Sequence, residues 1–553
     1  MPSPTSSSSV ANVSASGSLS IDALLDGAKW NGAAGTGATL SYSFPWAAGN
    51  AYWDAGANGK YSTLNEPYAT QHFSLSAIQQ TAASAALQAW ANVANLQFQA
   101  VADTSSNVGD IRFAWTSAGT PGEWGHAYSP ASGQASGGDV WIYSDPAKTS
   151  TDWSAGSYNY EALIHEIGHA LGFKHPGNYN VSGAPESGPF LSAALDTRQY
   201  SIMSYNNPPN DLFRTITHNA NGSYQWRTYD VAPETPMVLD IVAMQYLYGA
   251  NTSYRTGNDV YSFDTATPFL KTIWDAGGQD TISLGNFSLA CVIDLTPGHY
   301  SSIRILPEAA PAGYTGPVAT YDGTNNLGIA YGTIIENAIG GSGNDTLIGN
   351  DAGNSLSGGG GNDTLSGAAG NDTVDGGAGT DSAVYAGKRT GFSVTQSGNN
   401  RIVKDAAGAE GTDTVGNVER LSFADGTLKF DVSSNQLAVA RMYQAVMGRA
   451  PDSGGLDYWA AQRDTGMTTS HMALGFMGSL EYSTRYGNPD NSAFVNLLYH
   501  NVLGRDAEPA GRDYWNGVLA AGTARADVIA GFADSAELVG IMTAHDAGGV
   551  FAV

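Results

Sequence analysis

A nine-residue repeat between Gly340 and Val384 constrains the fold of this chain more than any other feature. Its five consecutive units read GGSGNDTLI, GNDAGNSLS, GGGGNDTLS, GAAGNDTVD and GGAGTDSAV. A nine-residue period with glycine and aspartate at fixed positions is typical of a parallel β-roll that binds calcium in its turns. Glycines permit the tight turns, while carbonyl and carboxylate oxygens are the ligands that calcium prefers. A flexible linker is the alternative, but a linker keeps no such phase.

Two nonapeptides complete one coil of a β-roll, so residues 18 positions apart should stack on the same side. The large apolar residues at the eighth position are expected to fill the core: Leu347, Leu356, Leu365 and Val374. Asn354 replaces the aspartate of the second unit and Ala383 replaces the core residue of the fifth, so both sites should be weaker. The predicted calcium ligands in the repeats are Gly341, Gly343, Asp345, Gly359, Gly361, Asp363, Gly370, Asp372 and Asp381.

A second motif, HEIGHALGFKH, runs from His165 to His175. His165 and His169 are four residues apart, so on a helix both imidazoles face the same way and can bind one zinc ion. Glu166 can act as general base towards a zinc-bound water. Gly172 can end the helix in a left-handed conformation and turn the chain so that His175 becomes the third ligand. Three protein ligands leave one position open, which indicates a catalytic zinc. A surface helix that carries histidines by chance is the alternative, and Gly172 with His175 makes it improbable.

These residues match the metzincin pattern HExxHxxGxxH, and the following Pro176 resembles the serralysin branch of that clan. Leu195–Tyr200 and then Ser201–Tyr205 resemble the segment that leads into the serralysin Met-turn and the Met-turn itself. The resemblance implies that Met203 forms an apolar floor beneath the zinc. It also implies that Tyr205 is a displaceable metal ligand, which would bind the oxyanion during catalysis.

The resemblance extends over residues 20 to 385 and includes the calcium sites of the repeats-in-toxin type. Segments before the nonapeptides look like further serralysin calcium sites. Their predicted ligands are Arg255 (through its carbonyl), Gly257, Asp259, Asp275, Gly277, Gly278, Asp280 and Glu336.

The chain has 24 lysines and arginines against 50 aspartates and glutamates, a formal net charge of −26. This balance argues against nucleic acid and anionic membranes as partners. Cys291 is the single cysteine, so an internal disulfide is impossible. The first residues have neither a basic nor an apolar region of a Sec signal peptide, and no apolar run is long enough to span a bilayer.

The pattern from Ser76 to Asn95 predicts a helix with Ile78, Ala82, Ala85, Ala89, Trp90 and Val93 on its buried face. Residues 110–115 and 138–143 are predicted as strands. Glu123 and His126 are predicted to lie in a solvated loop, with a second metal site as the less favoured alternative.

An internal repeat at a spacing of 56 residues follows the nonapeptides. The Tyr458-Trp459 pair recurs as Tyr514-Trp515, and each unit reads as helices joined by a Gly-Arg turn. The repeat resembles a bacterial helical repeat of secreted and surface-layer proteins. Packing between helices is preferred to sugar stacking for the aromatic pairs. Residues 548–553 resemble the apolar C-terminal export signal of serralysins.

The expected fold is multidomain, with an α+β metzincin catalytic domain, a parallel β-roll and a C-terminal α-helical repeat domain. The predicted boundaries are 1–20 (disordered tail or short propeptide), 21–250 (zinc metalloprotease), 251–385 (β-roll), 386–432 (short-strand connector) and 433–553 (helical repeat with export signal).

The expected function is a secreted zinc endopeptidase that calcium stabilises and that acts on proteins or peptides. Its expected partner in export is type I (ABC) secretion machinery, without a signal peptide, and a cell-surface partner could bind the helical repeat. A surface-layer or adhesion protein with a vestigial protease domain is the alternative. A calcium-dependent carbohydrate hydrolase has less support, since no isolated carboxylate pair stands in a recognisable motif.

Overall fold

The computed structural model describes residues 9–47, 49, 51–53, 60–62, 66, 72–117, 123–131, 134–143, 152–179 and 187–553. Two compact units are present. The first comprises the chain up to Ile282 together with Cys291–Ile335, and the second comprises Ser283–Ala290 together with Glu336–Val553. No described helix is both long enough and apolar enough to cross a membrane.

The elements up to residue 335 are mostly short strands around four helices. They are β1 (Val10–Asn12), α1 (Leu19–Asp22), β2 (Ala28–Trp30), β3 (Ala38–Ser43), β4 (His72–Ser74), α2 (Ala77–Val93), β5 (Leu96–Ala100), β6 (Ile111–Thr116), β7 (Gly125–Ala127), β8 (Val140–Tyr143), α3 (Tyr158–Ala170), β9 (Leu212–His218), β10 (Tyr224–Asp230), α4 (Val238–Tyr248), β11 (Val260–Ser262), β12 (Lys271–Ile273), β13 (Thr281–Ser283), β14 (Val292–Asp294), β15 (Tyr300–Ser301) and β16 (Leu327–Ile329).

One mixed sheet positions the first unit's site. Its order is β5-β3-β6-β8-β7, with β4 also paired to β6. Strands β5, β3, β6 and β8 run parallel, whereas β7 is antiparallel to β8 and lies at the edge. The segment around His126, predicted as a loop, is therefore strand β7. An edge strand has backbone groups that are free to pair with another extended chain.

Helix α2 starts at a capping box in which the Ser76 side chain accepts from the Gln79 N–H and the Gln79 side chain accepts from the Ser76 N–H. The predicted buried face is partly wrong, because Ile78 is 57% exposed and Ala85 is exposed. Ala83, Ala86 and Leu87 are buried instead, beside the correctly predicted Ala82 and Trp90.

The predicted disordered tail at 1–20 needs correction in its described part. Residues 1–8 lie outside the described residues, but β1 pairs antiparallel with β2, with Val10 opposite Trp30. Helix α1 then begins at Leu19, before the predicted boundary.

The second unit contains strands on both sides of a run of helices. They are β17 (Asn337–Ile339), β18 (Thr346–Ile348), β19 (Ser355–Gly360), β20 (Thr364–Ser366), β21 (Thr373–Ala378), β22 (Ser382–Val384), β23 (Phe392–Ser397), β24 (Asn400–Asp405), β25 (Thr412–Gly416), β26 (Arg420–Phe423), β27 (Gly426–Lys429), α5 (Ser434–Met447), α6 (Ser453–Asp464), α7 (Thr469–Met477), α8 (Leu480–Tyr486), α9 (Asn491–Leu503), α10 (Pro509–Ala520), α11 (Arg525–Ala533), α12 (Ala536–Asp546) and β28 (Val550–Ala552).

Residues 336–429, here called the repeat region, form two facing rows of parallel strands. In one row Ala338 pairs with Leu356, Leu356 with Val374, and Val374 with Val415. In the other row Leu347 pairs with Leu365, Leu365 with Ala383, and Ala383 with Leu421. All eight side chains are buried, so the predicted core positions form a thin apolar interior, with Ala383 included.

The predicted connector at 386–432 does not begin at a break in these sheets. Strand β25 pairs parallel with β21, and β26 pairs parallel with β22. The hairpin β23–β24 then adds antiparallel to β25, and β27 adds antiparallel to β26.

Helices α5–α12 lie in the chain between two neighbouring strands, because β28 pairs antiparallel with β27. The last residues are thus part of a sheet rather than an extension of the helical region. Corresponding helices recur at the predicted spacing, and α5 and α9 both end at a left-handed glycine, Gly448 and Gly504. Trp459 and Trp515 pack against phenylalanines 5.0 and 5.1 Å away between ring centroids, whereas their neighbours Tyr458 and Tyr514 are exposed.

Candidate metal centre and substrate cleft

Three imidazoles converge at the end of helix α3. The ligating atoms of His165, His169 and His175 all lie within 4.8 Å of one another. The Nε2 atom of His175 is 3.1 Å from that of His169 and 3.3 Å from that of His165. Sequence spacing therefore identified the three side chains that the fold brings together.

The other ring nitrogens fix the tautomers of the two helical histidines. His165 Nδ1 donates to the Ile202 carbonyl at 2.8 Å, and His169 Nδ1 donates to the Phe173 carbonyl at 2.8 Å. A carbonyl can only accept, so each Nδ1 carries the proton and each Nε2 has its lone pair available for a metal. Burial lowers the pKa of His165 to about 3 and also lowers the pKa of His169, which keeps both rings neutral.

The turn after α3 places His175. Helix α3 is capped at Ser157, whose side chain accepts from the Tyr160 N–H, and it ends before Gly172. Gly172 has φ +110°, and a Cβ there would lie 2.2 Å from the Ala28 carbonyl oxygen. Only glycine fits both the backbone conformation and the close approach.

Glu166 is buried beside the first histidine. It lines a cleft of about 680 Å³. The cleft is lined by Glu123, Trp124, Gly125, His126, Ala127, Tyr158, Glu161, Ala162, His165, Glu166, His169, His175, Arg198, Ile202, Ser204 and Tyr205. The predicted base and the three predicted ligands therefore share one concave surface.

The segment beneath the histidines is held by a buried carboxylate. Met203 is fully buried, and its Sδ is 2.7 Å from the position a Cβ would take at Gly168 on α3. Asp240 accepts from the Ser201 hydroxyl at 2.6 Å, from the Ile202 N–H at 2.8 Å and from the Met237 N–H at 2.8 Å. Burial raises the pKa of Asp240 to about 7, while these donors oppose that rise. Sequence reasoning missed Asp240.

Tyr205 packs over the metal ligands. Its ring centroid is 4.5 Å from that of His175 and 5.7 Å from that of His165, and its side chain is 46% exposed. Tyr179 stacks on Tyr205 at 4.7 Å, and its hydroxyl accepts from the Tyr205 N–H at 3.2 Å. The same Tyr179 hydroxyl donates to Asp196. Tyr179 was also missed, although it follows the zinc motif by only four residues.

The edge strand β7 also lines the cleft. His126 in that strand lies with Nε2 2.8 Å from Glu66 Oε1, and the Tyr128 hydroxyl donates to the same carboxylate. On the other side, the Arg198 Nε is 3.2 Å from Oε1 of Glu161. Burial raises the pKa of Glu161 to about 7, and the Arg198 charge partly offsets this effect.

Of the predicted calcium ligands in the first unit, three carboxylates come together. Oxygens of Asp259, Asp275 and Asp280 lie within 4.8 Å of one another. Gly257 is adjacent, since a Cβ at Gly278 would lie 2.0 Å from the Gly257 carbonyl oxygen. Arg255 has φ +51°, and its Nη1 is 3.4 Å from Asp259 Oδ1.

The predicted ligands in the repeats stack but do not form a three-carboxylate cluster among the described residues. The Asp345 N–H donates to Asp363 Oδ1 at 2.7 Å, and the Asp363 N–H donates to Asp381 Oδ1 at 2.7 Å. On the opposite side, the Asn354 N–H donates to Asp372 Oδ1 at 2.8 Å.

The predicted glycines bring carbonyl oxygens into these turns. A Cβ at Gly359 would lie 2.3 Å from the Gly341 carbonyl oxygen, and one at Gly361 would lie 2.2 Å from that of Gly343. Gly370 has φ +117° and makes the same approach to the Ala352 carbonyl. The Glu336 carbonyl accepts from the Asn354 side chain at 3.1 Å.

Both sets of donors fit the metals that the sequence implies. Three converging imidazole nitrogens, two of them on rings whose tautomer leaves Nε2 free to bind a metal, suit zinc. The second set is all oxygen, and the Oδ2 atoms of Asp363, Asp372 and Asp381 are buried without a hydrogen-bond partner. Buried carboxylate oxygens without donors are costly unless a cation binds them.

Three family models match the chain. The model described as Matrixin matches residues 53–181, and the one described as Peptidase M10 serralysin C terminal matches residues 239–447. A domain of unknown function (DUF4214) matches residues 424–486 and 473–541.

Curated relatives match somewhat more than half of the chain. Serralysin C of Dickeya chrysanthemi is 37% identical over 58% of this chain and 61% of its own length. Metallopeptidase AprA of Pseudomonas marginalis is 34% identical over 54% of this chain and 62% of its own. A solved structure, the extracellular lipase LipA of Serratia marcescens, aligns with a TM-score of 0.16 at 22% identity over 18% of this chain and 17% of its own, which says nothing about the fold.

The chain thus spans about three fifths of the length of these relatives. The Matrixin model covers the three histidines and Glu166, and the serralysin C-terminal model covers the repeat region. In its site residues and in these matches, the chain is similar to serralysin-type metzincins.

Proposed function

We propose that the protein is a zinc endopeptidase that hydrolyses peptide bonds in proteins. The observation that carries this proposal is the convergence of three Nε2 atoms beside Glu166 in an open cleft. Zinc bound there would polarise the scissile carbonyl and lower the pKa of water towards about 7.

The residues of the chain then supply the remaining steps. The Glu166 carboxylate takes a proton from the attacking water and delivers it to the leaving amine. The Tyr205 hydroxyl, next to His175 and partly exposed, donates a hydrogen bond to the oxyanion that develops on the carbonyl oxygen. The edge of β7 offers backbone groups to an extended substrate, which would align the peptide along the cleft.

The sequence alternative, a surface-layer or adhesion protein with a vestigial protease domain, is not favoured. A vestigial site is under no physical requirement to retain both the ligand tautomers and the buried base. A second function is therefore not proposed for this region.

The test is casein hydrolysis by the purified full chain, with and without a zinc chelator, beside Glu166→Gln. We expect the chelator to abolish hydrolysis and added zinc to restore it. Glu166→Gln should bind one zinc ion per chain, as the parent does, and hydrolyse nothing. Hydrolysis that persists in excess chelator, or a Glu166→Gln variant with parental turnover, would contradict the proposal.

We also propose that the repeat region is a calcium-binding β-roll and that Asp259, Asp275 and Asp280 form a further calcium site. The unpaired buried carboxylate oxygens support this, because weak all-oxygen sites of this kind fill at millimolar calcium. Such concentrations are extracellular, so we propose that the protein acts outside the cell. Export by type I (ABC) machinery and a cell-surface partner for helices α5–α12 remain predictions from the resemblance.

A further inference from the structure

The cleft continues past the metal ligands along helix α3, towards the start of the helix. Tyr158, Glu161 and Ala162 line this part of the cleft, and Arg198 lines it too. Glu161 precedes His165 by four residues, so the two side chains are neighbours on one face of the helix. A substrate whose carbonyl lies at the three histidines would therefore place a flanking side chain in this space. The four lining residues Tyr158, Glu161, Ala162 and Arg198 are here called the α3 subsite.

Glu161 forms the inner end of the α3 subsite. Its side chain is buried, with 3% of the residue exposed. The Oε1 atom is 3.2 Å from Arg198 Nε, whereas the Oε2 atom is buried and has no hydrogen-bond partner. A buried carboxylate oxygen without a donor is costly. The inner end of the subsite thus offers an acceptor to a hydrogen-bond donor of the substrate.

The charges around Glu161 are mostly negative. Burial raises the pKa of Glu161 to about 7, and the Arg198 charge offsets part of this rise. The carboxylates of Asp230 and Asp211 raise that pKa further. Among the described residues that line the cleft, Arg198 is the one arginine or lysine, whereas three are glutamates. One guanidinium does not balance these carboxylates, so a second cation beside Glu161 would keep its side chain ionised.

The outer wall of the α3 subsite suits a long side chain that ends in a cation. Tyr158 is 55% exposed, and its ring centroid is 5.7 Å from the guanidinium carbon of Arg198. An aromatic ring packs against the methylene stem of lysine or arginine and attracts the charge at its end. Ala162, the next lining residue, has only a methyl side chain and occupies little of the space.

We propose that Glu161 determines specificity by binding a lysine or arginine side chain of the substrate, at one position beside the cleaved bond. The ammonium or guanidinium group donates to Glu161 Oε2, and its stem lies along Tyr158. The proposal rests on the endopeptidase activity proposed above. The rival occupant is an acidic side chain bound by Arg198, and the two occupants predict opposite effects of the same substitutions.

The test is a digest of a denatured proteome by the purified full chain with zinc, in which mass spectrometry identifies the released peptides. Glu161→Gln keeps the shape of the side chain and removes its charge. Arg198→Gln removes the competing cation and leaves Glu161. Glu123→Gln is the matched control, because it removes a carboxylate from the same cleft outside the α3 subsite. Zinc content and thermal unfolding check the metal and the fold of each variant.

We expect the parent to favour lysine or arginine at one position beside the cleaved bond. Matched peptides with lysine or methionine at that position then give the ratio of their kcat/KM values. This ratio should favour lysine by about tenfold, the lower end for a hydrogen bond to a charged group. Glu161→Gln should abolish the preference, Arg198→Gln should raise it, and Glu123→Gln should keep it.

Three results would overturn this inference. They are an active parent without a basic preference, a basic preference that Glu161→Gln leaves unchanged, and a preference for aspartate or glutamate that Arg198→Gln removes. If Glu161→Gln does not fold, the direction of the change in Arg198→Gln decides between the two occupants. A parent chain that hydrolyses nothing would overturn the proposed endopeptidase function as well.

Discussion

Gly172→Ala tests whether the turn after α3 is what brings His175 to the other two histidines. Alanine at φ +110° costs about 1–3 kcal/mol in backbone strain. A Cβ 2.2 Å from the Ala28 carbonyl must also displace backbone, which costs about 1–3 kcal/mol more by analogy with overpacked cores. We therefore expect a loss of about 4 kcal/mol in the free energy of unfolding, or roughly 6 °C in Tm for a unit of this size.

Gly222→Ala is the matched control in the same unit, in the turn between β9 and β10. Gly222 has φ +82°, and a Cβ there would meet nothing within 4 Å. Only the strain applies, so a loss of about 2 kcal/mol and a Tm shift of roughly 3 °C are expected. Thermal unfolding with and without added zinc, together with metal analysis, separates the variants. Equal Tm shifts and equal zinc contents would refute the role given to the Ala28 contact.

Three further substitutions test the surroundings of the metal. Tyr205→Phe should keep zinc and the fold but slow turnover by about 10²-fold, as for other oxyanion donors, and unchanged kcat would remove Tyr205 from the mechanism. Tyr179→Phe removes the hydroxyl that accepts from the Tyr205 N–H. It should lower kcat with little change in KM, and a parental kcat would show that Tyr179 does not position Tyr205. Asp240→Asn places an amide against three donors and should cost about 1–3 kcal/mol of stability, measured by denaturant unfolding, and a parental midpoint would contradict this.

The zinc ligands could be predicted from the sequence because they lie within eleven residues. Helix geometry fixes the relation of His165 to His169, and the turn at Gly172 brings His175 to them. Asp240 and Tyr179 could not, because their roles depend on contacts with the segment around Met203 that no local spacing encodes. Asp240 lies in the first turn of α4, where an acidic residue would ordinarily be read as a favourable charge at a helix start.

In the repeat region, the nine-residue period predicts which strands pair as far as residue 384, but not beyond it. Strand register at 18 residues follows directly from the nonapeptides, as Leu347 opposite Leu365 illustrates. The Asp372 N–H donates to Asp413, 41 residues later, and the Asp381 N–H donates to Glu419, 38 residues later, because the β23–β24 hairpin interrupts the period. Residues 386–432 therefore read as a connector, although β25 and β26 complete another coil.

Folding of the repeat region should depend on calcium, and the effect should reach the end of the chain. Residues 340–384 contain six aspartates and no lysine or arginine, and each strand contributes a single residue to the thin core. Without cations the stacked carboxylates repel, and this burial does not offset the chain entropy. Helices α5–α12 have an apolar core of their own that includes Phe494 and Leu498.

Hydrogen exchange on the full chain, in excess chelator and in millimolar calcium, measures this difference region by region. Amides of residues 337–384 and 411–429 should exchange rapidly in chelator and slowly in calcium, whereas α5 and α9 should be protected in both. The backbone of strand β28 pairs with β27 in the described sheet, although the Val550 and Ala552 side chains belong to the apolar core of the helices. The amides of β28 should therefore follow the repeat region. If residues 548–553 are the export signal that the resemblance implies, an exporter would meet them unpaired at cytosolic calcium, and they would pair outside the cell. If β28 and the repeats are each protected to the same extent in chelator as in calcium, the coupling between calcium, folding and strand β28 is refuted.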